Sequence, residues 1–231
     1  MKLVIFDMDG VLVDSETIYH QFHPYYFSTK LGIDLSQEEV DALTGVASRE
    51  IYRHYKALYP EKLPLEAEVY VEQEYDLLMV KFATLNPFPV IDGIPELLEI
   101  LQQQGYRIAL SSSNQRRMVD LCLRRSGLST YFENVLSGED VAKAKPDPEI
   151  FVRQAEYFGV PVEECFVIED STNGCRAAKA AGMPCFGFIN PHSGAQDLSL
   201  ADWKTDRWDQ ESISTLLQVL AGEQVISSIT L

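Results

Sequence analysis

Five short apolar runs stand out along the chain: residues 3–6 (LVIF), 106–110 (YRIAL), 134–136 (NVL), 165–168 (CFVI) and 184–189 (PCFGFI). The first is too short and too β-branched for a helix and reads as a buried strand, and the others resemble it. Between them the apolar period changes. In IPELLEIL, Ile94, Leu97, Leu98 and Leu101 recur at i, i+3, i+4 and i+7, with Pro95 near the start and Gly105 as the stop. Asp147 and Pro148 predict an N-cap and first-turn proline for a helix carrying Phe151, Ala155 and Phe158 and ending at Gly159. The Ala-rich stretch NGCRAAKAAG predicts another helix, closed by Gly182 with Pro184 just beyond. Strands alternating with helices predict an α/β fold: a Rossmann-like parallel sheet with helices on both faces. A short edge strand is expected at 203–205, within a polar segment at 192–210.

Residues 16–86 break that alternation, with helical patterns and no convincing buried strand. Ser48 is placed to cap a helix carrying Ile51, Tyr55 and Leu58, and a second helix is expected from Leu65 to Phe82. Many aromatics fall here: Tyr19, Phe22, Tyr25, Tyr26, Phe27, Tyr52, Tyr55, Tyr59, Tyr70 and Tyr75. At helical spacing they predict the core of a small bundle. The expected organisation is a core domain of residues 1–15 and 87–231, interrupted by a helical cap domain of residues 16–86. Paired hinges are expected near 12–16 and 84–91, the second stiffened by the prolines of NPFPVIDG.

Charge then narrows the partners. The chain has 231 residues, 35 acidic and 19 basic, for a net charge of -16. Most of that charge reads as a solvated surface. It argues against nucleic acid or an anionic membrane as partner. Small phosphorylated substrates stay compatible, because a metal and a few local cations reverse the field inside a pocket. Cys122, Cys165, Cys175 and Cys185 have no metal-ligand spacing and predict reduced core thiols. The N-terminal stretch reads as neither signal peptide nor membrane span, so a cytoplasmic protein is expected, as monomer or weak dimer.

Ligands of open α/β sheets bind off the carboxyl ends of the strands. The first run is followed by Asp7 and Asp9, and the second by Ser111, Ser112, Ser113 and Asn114. CFVI is followed by Glu169, Asp170 and Ser171, and KAKPDP places Lys143 and Lys145 before a helix. In a parallel sheet these groups share one edge, and the mixture suits phosphoryl transfer. Phosphate monoesters hydrolyse so slowly unaided that enzymes accelerate them by as much as about 10²¹-fold, mostly by positioning and charge stabilisation. Two carboxylates as near as Asp7 and Asp9 raise each other's pKa. Mg²⁺, a hard cation that prefers oxygen ligands, relieves that repulsion.

Blander readings compete. A calcium loop fails, because Val11 and Leu12 stand where a ligand and a glycine are required. Taken singly, the acid pairs are ordinary turn or cap residues. His20, His23, His54 and His192 read as surface or cap residues, and Lys143 as a solvated neighbour of Lys145. Arg49 either faces solvent or reaches the pocket.

Four stretches together resemble the haloacid dehalogenase superfamily, in its branch with a helical cap inserted after the first strand. FDMDGVLVDSE is similar to the motif D-x-D-G-x-[LIV]-x-D-[ST]; IALSSSN to a strand ending in Ser or Thr, matched at Ser112; KAKPDPEIF to K-P-x-P at Lys145; and VIEDSTNGCRAAKAAGM to E-D-S-x-x-G before an Ala-rich helix. The resemblance implies that Asp7 is the nucleophile, forming an aspartyl-phosphate, and Asp9 the general acid and then base. It implies Mg²⁺ held by Asp7, the Asp9 carbonyl and Asp170, with Glu169 in or near the outer shell. Ser112 and the amide of Ser113, with Asn114, would bind phosphoryl oxygens. Lys145 would neutralise charge and orient Asp7, and Gly10 would allow a tight turn beside the phosphate. Asp9 favours phosphorus chemistry over carbon–halogen cleavage, since dehalogenase members lack that second Asp. Two activities follow: a phosphatase on a small phosphorylated metabolite, a sugar phosphate, or a hexose-phosphate mutase. TGVASREIY, which holds Arg49, resembles the G-V-S-R-E cap segment of β-phosphoglucomutases with one extra residue, and Tyr19 rather than His20 matches their cap histidine. YVEQEYDLLM lacks the lysine that mutases carry there. A non-catalytic phosphate-binding module is the remaining alternative.

Overall fold

The computed structural model describes residues 2–43, 46 and 48–223. Its strands are β1 Leu3–Phe6, β2 Arg107–Ser111, β3 Asn134–Leu136, β4 Cys165–Glu169, β5 Cys185–Phe188 and β6 Trp203–Thr205. They form one sheet in the order β3-β2-β1-β4-β5-β6, and every pairing is parallel. The helices are α1 Glu16–Tyr26, α2 Gln37–Leu43, α3 Ser48–Leu58, α4 Ala67–Thr84, α5 Ile94–Gln103, α6 Arg116–Ser126, α7 Glu149–Phe158, α8 Thr172–Ala180 and α9 Gln210–Ala221.

The unbroken apolar runs are period-two patterns buried on both sides. In β1, Val4 and Phe6 join one hydrophobic cluster, while Leu3 and Ile5 join a second. β4 divides likewise, Phe166 and Ile168 against Cys165 and Val167. The first cluster takes the apolar stripes of α5, α6 and α9; the second takes those of α7 and α8. β1 sits where the strand order reverses, so the carboxyl ends of β2 and β4 flank its own. That is the crevice in which ligands of such sheets bind.

Residues 16–86 carry no strand among the described residues, as expected. α1 runs on into a π turn at Phe27–Leu31, closed by Gly32 at φ 65°. Phe27 stacks on Tyr52 at 5.7 Å and meets Tyr55 edge-on at 4.8 Å, and Tyr52 stacks on Tyr70 at 5.7 Å. Tyr25 departs from the expected aromatic core and is 60% exposed.

The residue pattern misplaces some boundaries. α4 begins at Ala67 rather than Leu65, which is exposed, and Leu58 at the end of α3 faces out rather than into the bundle. Pro148 is itself the N-cap of α7, and Asp147 accepts from the Glu149 amide through Oδ1 at 3.1 Å. The edge strand at 203–205 is present as β6. All four cysteines are buried with free thiols. No helix among the described residues is long and apolar enough to cross a membrane. The terminal VISSITL, to which the sequence assigns no purpose, lies outside the described residues.

Candidate active site

β1 ends at Phe6, and the amide of Asp7 still donates to Ile168 of β4 at 3.0 Å. The chain then turns sharply through residues 8–13, with Gly10 at φ 75° and its amide bonded to the Val13 carbonyl at 2.8 Å. Only glycine fits there. A Cβ on Gly10 would stand 1.9 Å from Asp170 Oδ2, in addition to the strain of a positive φ.

Lys145 organises the rim. Its ammonium donates to Asp7 Oδ1 at 2.5 Å, Glu169 Oε1 at 2.7 Å and the Ser111 carbonyl at 2.9 Å. Burial works against that charge, but the Asp7 and Glu169 carboxylates outweigh it and hold the ammonium above its ordinary pKa. Glu169 also accepts from the amide and hydroxyl of Ser171, at 2.9 and 2.8 Å, and Ser171 caps α8. Gly174 of α8 packs so close that a Cβ there would lie 1.8 Å from Glu169. Glu169 is therefore both a capping partner and the second anchor of Lys145.

Burial, offset by Lys145 and reinforced by Glu169 and Asp9, pushes the Asp7 carboxyl up to about 8. Burial followed by the charges of Glu169 and Asp7 raises Asp170 well above the carboxylate range. Burial raises Asp9 too, although Asn114 donates to its Oδ2 at 3.0 Å. Asp9 Oδ1 is buried with no hydrogen-bond partner. Among the described residues no three His, Cys, Asp or Glu side chains form a closed metal cage. The raised Asp7 and Asp170 carboxylates, buried side by side and repelling one another, nevertheless fit one hard dication. Mg²⁺ keeps several waters and needs only one or two carboxylates.

A cavity of about 600 Å³ opens between this rim and the helices α1, α3 and α4. Asp7, Asp9, Ser113, Asn114, Lys145 and Asp170 line its rim side. Ser112 is fully buried just behind them, its Oγ accepting from the Asn114 amide at 3.1 Å and lying 3.5 Å from Asp9 Oδ2. Arg49 lines the far side, with its side chain 58% exposed and its Nε 3.1 Å from Glu68. Every expected site residue thus borders one cavity or stands directly behind its wall.

Sequence reasoning missed several groups. Asn190 donates to the Gly10 carbonyl at 3.0 Å, and the Ser193 hydroxyl donates to Asp170 Oδ2. Both lie in the loop after β5, where the strand-end rule applied to the other strands would have found them. Tyr19 accepts from Asn114 Nδ2 at 3.2 Å, and Tyr75 donates to Asn114 Oδ1. His23 is not a plain surface residue, for its Nδ1 lies 2.8 Å from buried Glu74; His192 is a surface residue as expected, with Nδ1 2.9 Å from Asp14.

Comparison with known proteins agrees with this geometry. Residues 4–188 match the haloacid dehalogenase-like hydrolase family. A phosphorylated carbohydrates phosphatase of Thermotoga maritima is 33% identical, over 79% of this chain and 82% of that protein. A β-phosphoglucomutase of Bacillus subtilis is 31% identical, over 81% and 83%. The chain spans only 17% of a longer Arabidopsis thaliana relative, Protein SUPPRESSOR OF QUENCHING 1, at 31% identity over 80% of its own length. Among solved structures, a mutant of CbbY from Rhodobacter sphaeroides in complex with xylulose-(1,5)bisphosphate shares the fold. It has a TM-score of 0.77 at 24% identity, over 91% of this chain and 96% of that one.

Proposed function

Because the chain belongs to the haloacid dehalogenase-like hydrolase family, we propose that it is a Mg²⁺-dependent phosphatase hydrolysing a small sugar phosphate through an aspartyl-phosphate on Asp7. The observation that carries this reading is Lys145, a buried cation joining Asp7 to Glu169 in a rim otherwise made of carboxylates. With Oδ1 held by Lys145, Asp7 is oriented and its second oxygen is left to attack phosphorus. The raised pKa of Asp9 suits a general acid that protonates the leaving oxygen. The resulting carboxylate then takes a proton from the attacking water. Asn114 and Ser113 hold phosphoryl oxygens, with Ser112 bracing the Asn114 amide from behind and Lys145 balancing their charge. Asp7, Asp170 and the Asp9 carbonyl would hold Mg²⁺, with Glu169 behind them. Once bound, it supplies the positive charge that lets carboxylates and phosphate approach.

In the same reading, residues 16–86 are a cap on a core of residues 1–15 and 87–231. The two connecting segments are tied together, Asp14 N to the Pro89 carbonyl at 2.9 Å and Ile91 N to the Leu12 carbonyl at 3.0 Å. Paired connections of that kind suit a hinge, and closure excludes water from the phospho-enzyme.

A hexose-phosphate mutase is the second reading, favoured by Arg49 on the cavity wall and by the kinship to a β-phosphoglucomutase. Against it, α4 turns Val71, Tyr75 and Leu78 to the cavity and no cation for a second phosphate. The test is phosphate release from p-nitrophenyl phosphate and a panel of sugar phosphates, with and without Mg²⁺, in wild type and Asp7→Asn. Metal-dependent release that needs Asp7 is expected; its absence overturns the proposal. β-Glucose 1-phosphate offered with a bisphosphate primer yields free phosphate if the enzyme is a phosphatase and glucose 6-phosphate if it is a mutase.

A further inference from the structure

Glu74 has no place in the chemistry above, yet it is a carboxylate only 2% exposed, inside the aromatic bundle. Burying a charge there is costly unless it is hydrogen-bonded. Its partner is His23 of α1, whose Nδ1 lies 2.8 Å from Glu74 Oε1. A carboxylate only accepts, so Nδ1 carries the proton and Nε2 is the nitrogen available to the cavity that His23 lines. The ring is also fixed from the side by Tyr19, stacked at 6.0 Å with an interplanar angle of 21°. Two elements distant in sequence therefore hold one imidazole rigidly in the cavity wall, on the side formed by the helices.

The company His23 keeps there limits what it reads. Val71, Leu78 and Val40 line the same region. The permanent cations among the described lining residues are Lys145, committed to Asp7 and Glu169, and Arg49, paired with Glu68. Glu16 adds a carboxyl, raised to about 7 by burial and the Asp9 charge. A second phosphate would find no uncommitted permanent cation among the described lining residues. A hydroxyl suits His23 in either protonation state, as donor to neutral Nε2 or as acceptor from its N–H.

From the buried Glu74–His23 pair on the helical wall, we propose that His23 is a specificity-determining residue that hydrogen-bonds a hydroxyl of a sugar monophosphate. Glu74 is the positioning residue that aims it. This rests on the phosphatase reading for the position of the phosphate, but it is tested by binding rather than turnover. In Asp7→Asn protein with Mg²⁺, calorimetry measures the affinity for glucose 1-phosphate, glucose 1,6-bisphosphate and inorganic phosphate. The monophosphate should bind at least as tightly as the bisphosphate. Adding His23→Ala should weaken it about 10-fold or more relative to inorganic phosphate. Glu74→Ala should do the same, and Glu74→Gln, which keeps an acceptor for Nδ1, should restore most of the loss. If Glu74→Ala does not fold, His23→Ala and Glu74→Gln decide the question. An unchanged ratio of sugar phosphate to inorganic phosphate affinity, a preference for the bisphosphate, or no binding of glucose 1-phosphate overturns the proposal. p-Nitrophenyl phosphate turnover by wild type would still stand or fall on the phosphatase reading alone.

Discussion

The two walls of the cavity are built on opposite principles. On the sheet side, Asp7, Glu169 and Lys145 are almost wholly buried and bound to each other, and Asp170 is buried beside them, so each charge depends on its neighbours. On the helical side, α4 meets the core through Arg117, which pairs with Glu72 at 2.8 Å and Asp76 at 2.6 Å and lies over the Tyr75 ring at 4.7 Å. Those ion pairs are largely solvated. Low dielectric multiplies electrostatic effects on the first wall, and water mutes them on the second. The same substitution, cation to alanine, should therefore read very differently on the two sides.

The largest effect is expected at Asp7, the proposed nucleophile. Asp7→Asn removes the attacking carboxylate while keeping the shape of the rim, and should lower Mg²⁺-dependent phosphate release on the order of 10³-fold or more. Its fold should survive, because a neutral amide relieves the repulsion from Glu169 and Asp9. Unfolding in place of inactivity would mean that Asp7 is a structural anchor. Lys145→Ala comes next. It leaves Asp7 and Glu169 buried without their cation, which costs about 3–5 kcal/mol of stability, measurable by urea denaturation. A loss under about 1 kcal/mol would put the rim in the same class as the helical wall.

How much of each wall is legible in the sequence follows from the same contrast. Asp7 and Asp170 are readable because a parallel sheet brings the residue after each strand to one edge, whatever the side chains do, and Lys145 is readable from the KAKPDP stretch before α7. The loop after β5 obeys that rule as well, yet Asn190 and Ser193 escape notice because the polar stretch around them carries no periodic signal. His23 and Glu74 are not legible at all: they stand 51 residues apart, and only the packing of α1 on α4 brings them together. Glu74, the second of two glutamates in YVEQEYDLLM, looks like any solvent-facing helix residue. The block at 16–86 is recognisable as helical by its aromatics, but which way each helix turns is not, as Leu58 and Leu65 demonstrate.

A third expectation tests whether the rim is built around a metal. In chelator, Asp7 titrates at about 8 folded against 3.8 unfolded, and Asp170 is raised as well. The folded state then binds more protons than the unfolded state between those values. The contribution of Asp7 to stability is full below about pH 4, falls as pH rises, and levels off above about pH 8, and Asp170 acts in the same direction. Saturating Mg²⁺ should flatten that slope and add about 2.7 kcal/mol at a hundred times its Kd. Thermal unfolding at pH 5 and 8, with Mg²⁺ and with chelator, checks both. A slope unchanged by Mg²⁺ would mean that the carboxyls are not its ligands.

The smallest effect belongs to Arg117, and it sharpens the comparison most. Its guanidinium is 38% exposed and its partners Glu72 and Asp76 are 61% and 68% exposed. Arg117→Ala should therefore cost about 1 kcal/mol or less in global unfolding. What it should change is how α4 is held against α6. Exposed ion pairs weaken as the Debye length shrinks, from about 10 Å at 0.1 M salt to about 3 Å at 1 M. Amide exchange in α4 should accelerate with added salt in wild type, whereas in Arg117→Ala it should already be fast and salt should change it little. Exchange in β1 should be indifferent to both treatments, because its hydrogen bonds open only with the whole sheet. If Arg117→Ala instead lowered global stability by several kcal/mol, or quickened exchange in β1 and α4 alike, the two walls would be one cooperative unit. The helical side could not then swing on hinges independent of the rim.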